Sequence, residues 1–126
     1  MNFTYQRWDE FCKKLCQKGL KSIPACEVSS ESESFLVLKH DVETDVARAY
    51  EIAKIECHYG HRGSYYVQAY LLESEKNVSM LTYMQQMGHE ITYHHDVMDS
   101  CKGDLQKAVE EFEKNRQLFE KNGFPI

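Results

Sequence analysis

Apolar residues recur along this chain in two alternating rhythms. Trp8, Phe11, Cys12, Leu15 and Cys16 fall at helical spacing and predict an amphipathic helix over residues 5–18, stopped by Gly19. Residues 19–34 carry Pro24 and the run Ser29-Ser30-Glu31-Ser32-Glu33-Ser34, show no apolar period and read as loop. Residues 35–40 then form a short, mostly apolar run of the kind found in parallel strands covered on both faces. Thr44 is placed to cap a second helix with Val46, Ala49, Tyr50, Ala53 and Cys57 on one face, ending at Gly60. Residues 64–69 are rich in strand formers. A helix over 75–87 presents Met80, Leu81, Met84 and Met87 and stops at Gly88, residues 89–93 give a third strand, and a last helix covers 104–122. Leu105, Ala108, Val109, Phe112 and Phe119 line that helix, and Gly123 and Pro125 end it.

The order is one helix followed by three strand–helix units, spaced at about the 25–30 residues of a right-handed βαβ crossover. That is an α/β chain built on parallel pairing, one domain over residues 1–126, with no internal repeat. Three parallel strands leave an edge unpaired, which parallel sheets rarely tolerate. The expectation is therefore the N-terminal part of a larger fold rather than a small open α/β sandwich, with the free edge a route to oligomers.

Composition narrows the function. Of 126 residues, 42% are hydrophobic and 28% charged, so the chain is globular; a net charge of −5 without a basic stripe argues against nucleic acid or an anionic membrane as partner. Met1 leads into a charged segment with no apolar leader core, and no apolar run approaches the ~20 residues of a membrane span, so the sequence reads as soluble and cytoplasmic. Five cysteines without a CxxC pair argue against a disulfide framework or a zinc knuckle, and Cys12 and Cys16 sit at core spacing. The methionines over 75–87 read as core for the same reason.

Two segments carry the candidate chemistry. Leu36-Val37-Leu38-Lys39-His40-Asp41-Val42-Glu43 and Gly88-His89-Glu90-Ile91-Thr92-Tyr93-His94-His95-Asp96 are strand-like runs that each end in histidine and carboxylate side chains. Parallel strands deliver such ends to one rim of a sheet, where α/β folds keep their sites. Asp41 and His94 together offer a carboxylate and an imidazole, ligands suited to zinc, cobalt or nickel. An imidazole is the side chain suited to proton transfer near neutral pH, which makes His40 a candidate proton acceptor. The bland alternatives are a helix-capping role for Asp41 ahead of Thr44-Asp45 and a structural hydrogen-bonding role for His89 after Gly88.

At these two segments the sequence resembles the polysaccharide deacetylase superfamily, the NodB-homology domain, in the subgroup opening on an HDV motif. The resemblance runs from Phe35 to about Gly123: His40-Asp41-Val42, the helix stretch from Ala47 through Tyr50-Glu51-Ile52-Ala53-Lys54-Ile55-Glu56, the strand Gly63-Ser64-Tyr65-Tyr66, and Gly88-His89-Glu90-Ile91 leading to His94. It implies a distorted (β/α)7 barrel and a metal-dependent hydrolase of carbon–nitrogen, non-peptide bonds, acting on an acylated carbohydrate or a related small amide. It also implies Asp41 and His94 as metal ligands, with His40 or Asp41 filling the position of the catalytic base. Met98 stands where a second metal histidine is expected, and His95, Asp96, Asp99 and Glu43 are the candidate substitutes. The arginine and general-acid histidine of later family motifs would fall past Ile126, so these residues alone are expected to lack a complete site. The competing expectations are a metal-free member that binds carbohydrate or protein without catalysis, and a small non-catalytic α/β module.

Overall fold

The computed structural model describes residues 4–30 and 34–126; Glu31–Glu33 of the expected loop lie outside the described residues. Helix α1 spans Tyr5–Gln17, β1 Lys39–Val42, α2 Val46–His58, β2 Ser64–Val67, α3 Glu75–Gln86, β3 Glu90–Tyr93, α4 Val97–Ser100 and α5 Leu105–Lys121. Single 3-10 turns occupy Ala25–Glu27 and Ala69–Glu73. The fold is α/β: three parallel strands in the order β1-β2-β3 with five helices among the described residues.

Side-chain alternation sorts the sheet into two unlike faces. The register pairs His40 with Tyr65 and Tyr65 with Ile91, then Val42 with Val67 and Val67 with Tyr93. These rows face the helices. Val42, Tyr65, Val67, Ile91 and Tyr93 join Val46, Ala49, Ala53, Leu81, Met84 and Phe119 in one apolar core. The other face carries the rows Lys39–Ser64–Glu90 and Asp41–Tyr66–Thr92, every residue of them polar-ended. Val46, Ala49 and Ala53 of α2, Leu81 and Met84 of α3 and Phe119 of α5 all belong to that core, so these three helices cover the same face of the sheet. The expectation of a sheet covered by helices on both faces, drawn from the mostly apolar run at 35–40, is therefore corrected, since most of that run lies outside the strand. Phe35–Leu38 precede β1, where Leu36 makes only an isolated bridge to Ser22. The strand begins at Lys39 and alternates.

The lower end of the polar face is closed by the Ala25–Glu27 turn. Ala25 donates its backbone N–H to Ser64 Oγ at 2.8 Å, Cys26 donates to Glu90 Oε1 at 3.2 Å, and Arg62 makes a two-pronged bond to Glu27. The upper end, after the strand C-termini, is where the chain enters its helices. Asp45, not Thr44, caps α2, its side chain accepting from Arg48 N at 3.1 Å. An aspartate accepts as well as a threonine there, and it also places negative charge at the helix N-terminus. No helix of the described residues is long and apolar enough to cross a membrane.

Candidate functional site

Neighbouring residues on β1 lead to two different polar centres. His40 turns towards the helices. Its Nε2 stands 2.6 Å from Glu56 Oε2, an atom that also accepts from Trp8 Nε1 at 3.2 Å, while Glu56 Oε1 accepts from the Tyr65 hydroxyl at 2.5 Å. Glu56 is fully buried, and His40 stacks on Tyr65 with ring centroids 4.6 Å apart. A carboxylate in the core is tolerable only when hydrogen bonds replace the water it has lost, and here three side chains on α1, β1 and β2 supply them. Burial first, and the Glu56 charge next, push the Tyr65 phenol far above its usual range, so it remains a donor.

Asp41 turns to the polar face. Its Oδ1 lies 3.5 Å from His94 Nδ1, and the other ring nitrogen of His94 lies 3.7 Å from Glu43 Oε1. Two donors each about 2.1 Å from a tetrahedral ion stand about 3.4 Å apart. The Asp41–His94 separation thus suits a shared divalent ion. Glu43 meets the far side of the imidazole, so it does not join Asp41 on a single point. Among the described residues no group of three His, Cys, Asp or Glu side chains is arranged to hold a metal. The donor chemistry fits a divalent ion at two positions, Asp41 and His94.

Asp41 and Glu43 line a cleft of about 450 Å³ along the free edge of β1. His94 lines another of about 430 Å³ with Gln68, Tyr70, Asp96 and Asn115. The Asp41–His94 contact links the two. Tyr70 ties the rim together, its hydroxyl donating to the carbonyl of Glu43. This is the end of the sheet at which the chemistry was expected.

Of the expected site residues, the structure brings Asp41 and His94 into contact, while His40 borders the same cleft as Asp41 but turns its Nε2 to Glu56. Period-two alternation places residues 40 and 41 on opposite faces, and Glu56 occupies one of the two His40 nitrogens, Nε2. Among the substitutes for the second histidine, Glu43 reaches His94. His95 packs edge-on against Phe112 at 5.1 Å, Asp96 lines the His94 cleft, and Met98 is half exposed on α4. Asp41 caps no helix, since Asp45 does so. His89 is buried with both nitrogens engaged: Nε2 donates to Ala53 O at 2.9 Å and Nδ1 accepts from Gly63 N at 2.8 Å.

Two features were missed in the sequence. Glu56 lies on the apolar stripe Val46, Ala49, Ala53 of α2, and a carboxylate at a core position is itself the signal that donors must surround it. Lys39 is two residues before Asp41, and that spacing alone puts both on one strand face. No protein-family model, curated protein or solved structure matches the chain.

Proposed function

We propose that this chain contributes the first strands of a deacetylase-like (β/α) barrel that hydrolyses a carbon–nitrogen, non-peptide bond of an acylated sugar or related amide. The observation that carries the reading is the 3.5 Å approach of Asp41 Oδ1 to His94 Nδ1 at the C-terminal end of parallel strands. The division of the sheet supports the barrel: helices and apolar core on one face, six polar-ended residues on the other, and strands in sequential order. In a closed barrel the second face lines the interior, and loops at the strand C-termini form the site.

Asp41 and His94 are the residues that would hold the ion. A divalent metal there supplies Lewis-acid polarisation of the acyl group and acidifies water. The rest of the work falls to side chains already in place. Asp41 presents carboxylate oxygens that accept hydrogen bonds. Gln68, on the rim of the His94 cleft, provides an amide donor for a hydroxylated or amide ligand, and the Tyr70 oxygen, whose proton goes to the Glu43 carbonyl, can accept from one. His40, engaged by Glu56 on the other face, serves as a structural residue in this reading, and Asp41 remains the candidate base.

The second reading is binding without catalysis, and one observation favours it. Lys39 already neutralises Asp41, with Nζ 3.3 Å from Oδ1. Metal analysis separates the two. Bound zinc, cobalt or nickel near one equivalent, lost in both Asp41→Asn and His94→Ala, supports the hydrolase, as does acetate release from acetylated sugar oligomers by a protein carrying this chain. Metal content at background in the unaltered protein, with oligosaccharide binding retained in Asp41→Asn, supports the binder and sinks the hydrolase.

A further inference from the structure

Asp41 Oδ1 has two neighbours of opposite consequence for a cation. His94 Nδ1, 3.5 Å away, would share a cation with it, and Lys39 Nζ is an ammonium at 3.3 Å from the same oxygen. Alternation on β1 fixes both Lys39 and Asp41 on the polar face, and Tyr66, the register partner of Asp41 on β2, stands beside them. The Lys39 ammonium also sits over the Tyr66 ring, 5.0 Å from its centroid. It therefore has two acceptors within reach, a charged oxygen and an aromatic face.

We propose that Lys39 is the internal counter-cation of Asp41 and sets the affinity of the Asp41–His94 pair for a divalent ion, ceding the carboxylate and resting on Tyr66 when the ion binds. The proposal rests on the metal reading above. An ammonium within contact of a ligand oxygen competes for its lone pairs and repels an incoming double charge. The Lys39 side chain is 57% exposed, so water screens that repulsion, and the effect is of the order of tenfold in affinity rather than thousands. The Tyr66 face offers a cation–π contact that limits the cost of leaving Asp41. The flexible four-carbon stem of lysine suits such an exchange, where the planar fork of arginine would hold the carboxylate in a fixed geometry.

The test is calorimetric titration of zinc into the unaltered chain and into Lys39→Met, Lys39→Gln, Lys39→Arg and Asp41→Asn. The expected result is zinc binding about tenfold tighter in both Lys39→Met and Lys39→Gln. Lys39→Arg should bind no tighter than the unaltered chain, and Asp41→Asn should lose binding. The two neutral variants differ in polarity, so agreement between them assigns the effect to charge. If both bind within twofold of the unaltered chain, or more weakly, while Asp41→Asn still loses zinc, the Lys39 proposal is overturned and the metal reading stands. If zinc binds neither the unaltered chain nor the neutral variants, or binds Asp41→Asn equally well, the metal reading falls and this proposal falls with it.

Discussion

His40 and Asp41 are covalent neighbours, yet one belongs to a closed polar cluster and the other to an open one. In the Glu56 cluster both carboxylate oxygens are matched, receiving Trp8, His40 and Tyr65, and no buried side-chain nitrogen or oxygen of the described residues lacks a partner. The Asp41 cluster is the reverse. Its contacts, at 3.3 to 3.7 Å, are looser, and its side chains are a quarter to more than half exposed. Titratable groups that satisfy one another in the core hold the fold together. Those at a strand end with spare lone pairs remain available to a ligand. Residue type does not separate the two cases; the face of the strand does.

The largest expected effect breaks the closed cluster. Glu56→Ala would strand the Tyr65 hydroxyl, the Trp8 indole N–H and a His40 nitrogen around a cavity, at a cost of about 3–5 kcal/mol. Urea denaturation followed by circular dichroism measures it. A loss under about 1 kcal/mol would show that the cluster does not hold α1, β1, α2 and β2 together, and the contrast with Asp41 would dissolve.

Next comes Gly63, at the foot of the same cluster. A Cβ built there would lie 2.6 Å from Glu56 Oε1 and 3.2 Å from the carbonyl of Leu38. Glu56 is pinned by three donors and cannot swing away. Gly63→Ala is expected to cost about 1–3 kcal/mol by overpacking, and the same variant in a Glu56→Ala background should cost clearly less. Equal costs in both backgrounds would mean that the Leu38 carbonyl, not the carboxylate, makes the glycine necessary.

Acid should act on the closed side first. His89 is buried, and burial lowers its pKa despite the opposing influence of Glu56, with His40 and Arg62 adding to the depression. Its folded pKa lies below the unfolded value of about 6.5, so the unfolded chain binds the proton more readily. The stability that neutral His89 contributes is complete above about pH 6.5 and declines as pH falls towards the folded pKa, by at most about 1.4 kcal/mol per pH unit. Protonation of Nδ1 would also break the bond from Gly63 N. Denaturation midpoints measured from pH 7.5 to 5 should fall in the unaltered chain and fall less in His89→Gln. An identical slope in both would place the acid sensitivity elsewhere.

The legible part of this fold was its rhythm. The helices around Trp8, Ala49, Leu81 and Phe119 and the strands at 64–67 and 90–93 follow from apolar spacing and glycine stops, because those signals are local. The short α4 and the turn at Ala69–Glu73 are too brief to show a period. The β1 boundary shifted by four residues because Phe35 to Leu38 are apolar without entering the sheet. Asp41 and His94 were legible as a pair because each ends a strand of one parallel sheet. The partners Glu56, Tyr65 and Trp8 were not, since their meeting depends on how α1 and α2 dock on the sheet, which no local spacing records.

The smallest stability effect belongs to the open cluster, and it sharpens the comparison most. Asp41→Asn keeps the shape of the side chain, removes a charge that is 42% exposed, and releases the pairs with Lys39 and His94. Exposed ion pairs contribute little, because water solvates the separated charges nearly as well and the long side chains regain their freedom. The expected change in unfolding free energy is within about 0.5 kcal/mol of zero. Any divalent-ion affinity should nevertheless drop at least tenfold, since an amide oxygen without charge is a poor ligand beside a carboxylate. A residue whose loss is neutral for folding and costly for binding has its role outside the fold. Should Asp41→Asn destabilise the chain as strongly as Glu56→Ala, the open cluster would be a structural element after all, and the distinction between the two faces of β1 would not mark function.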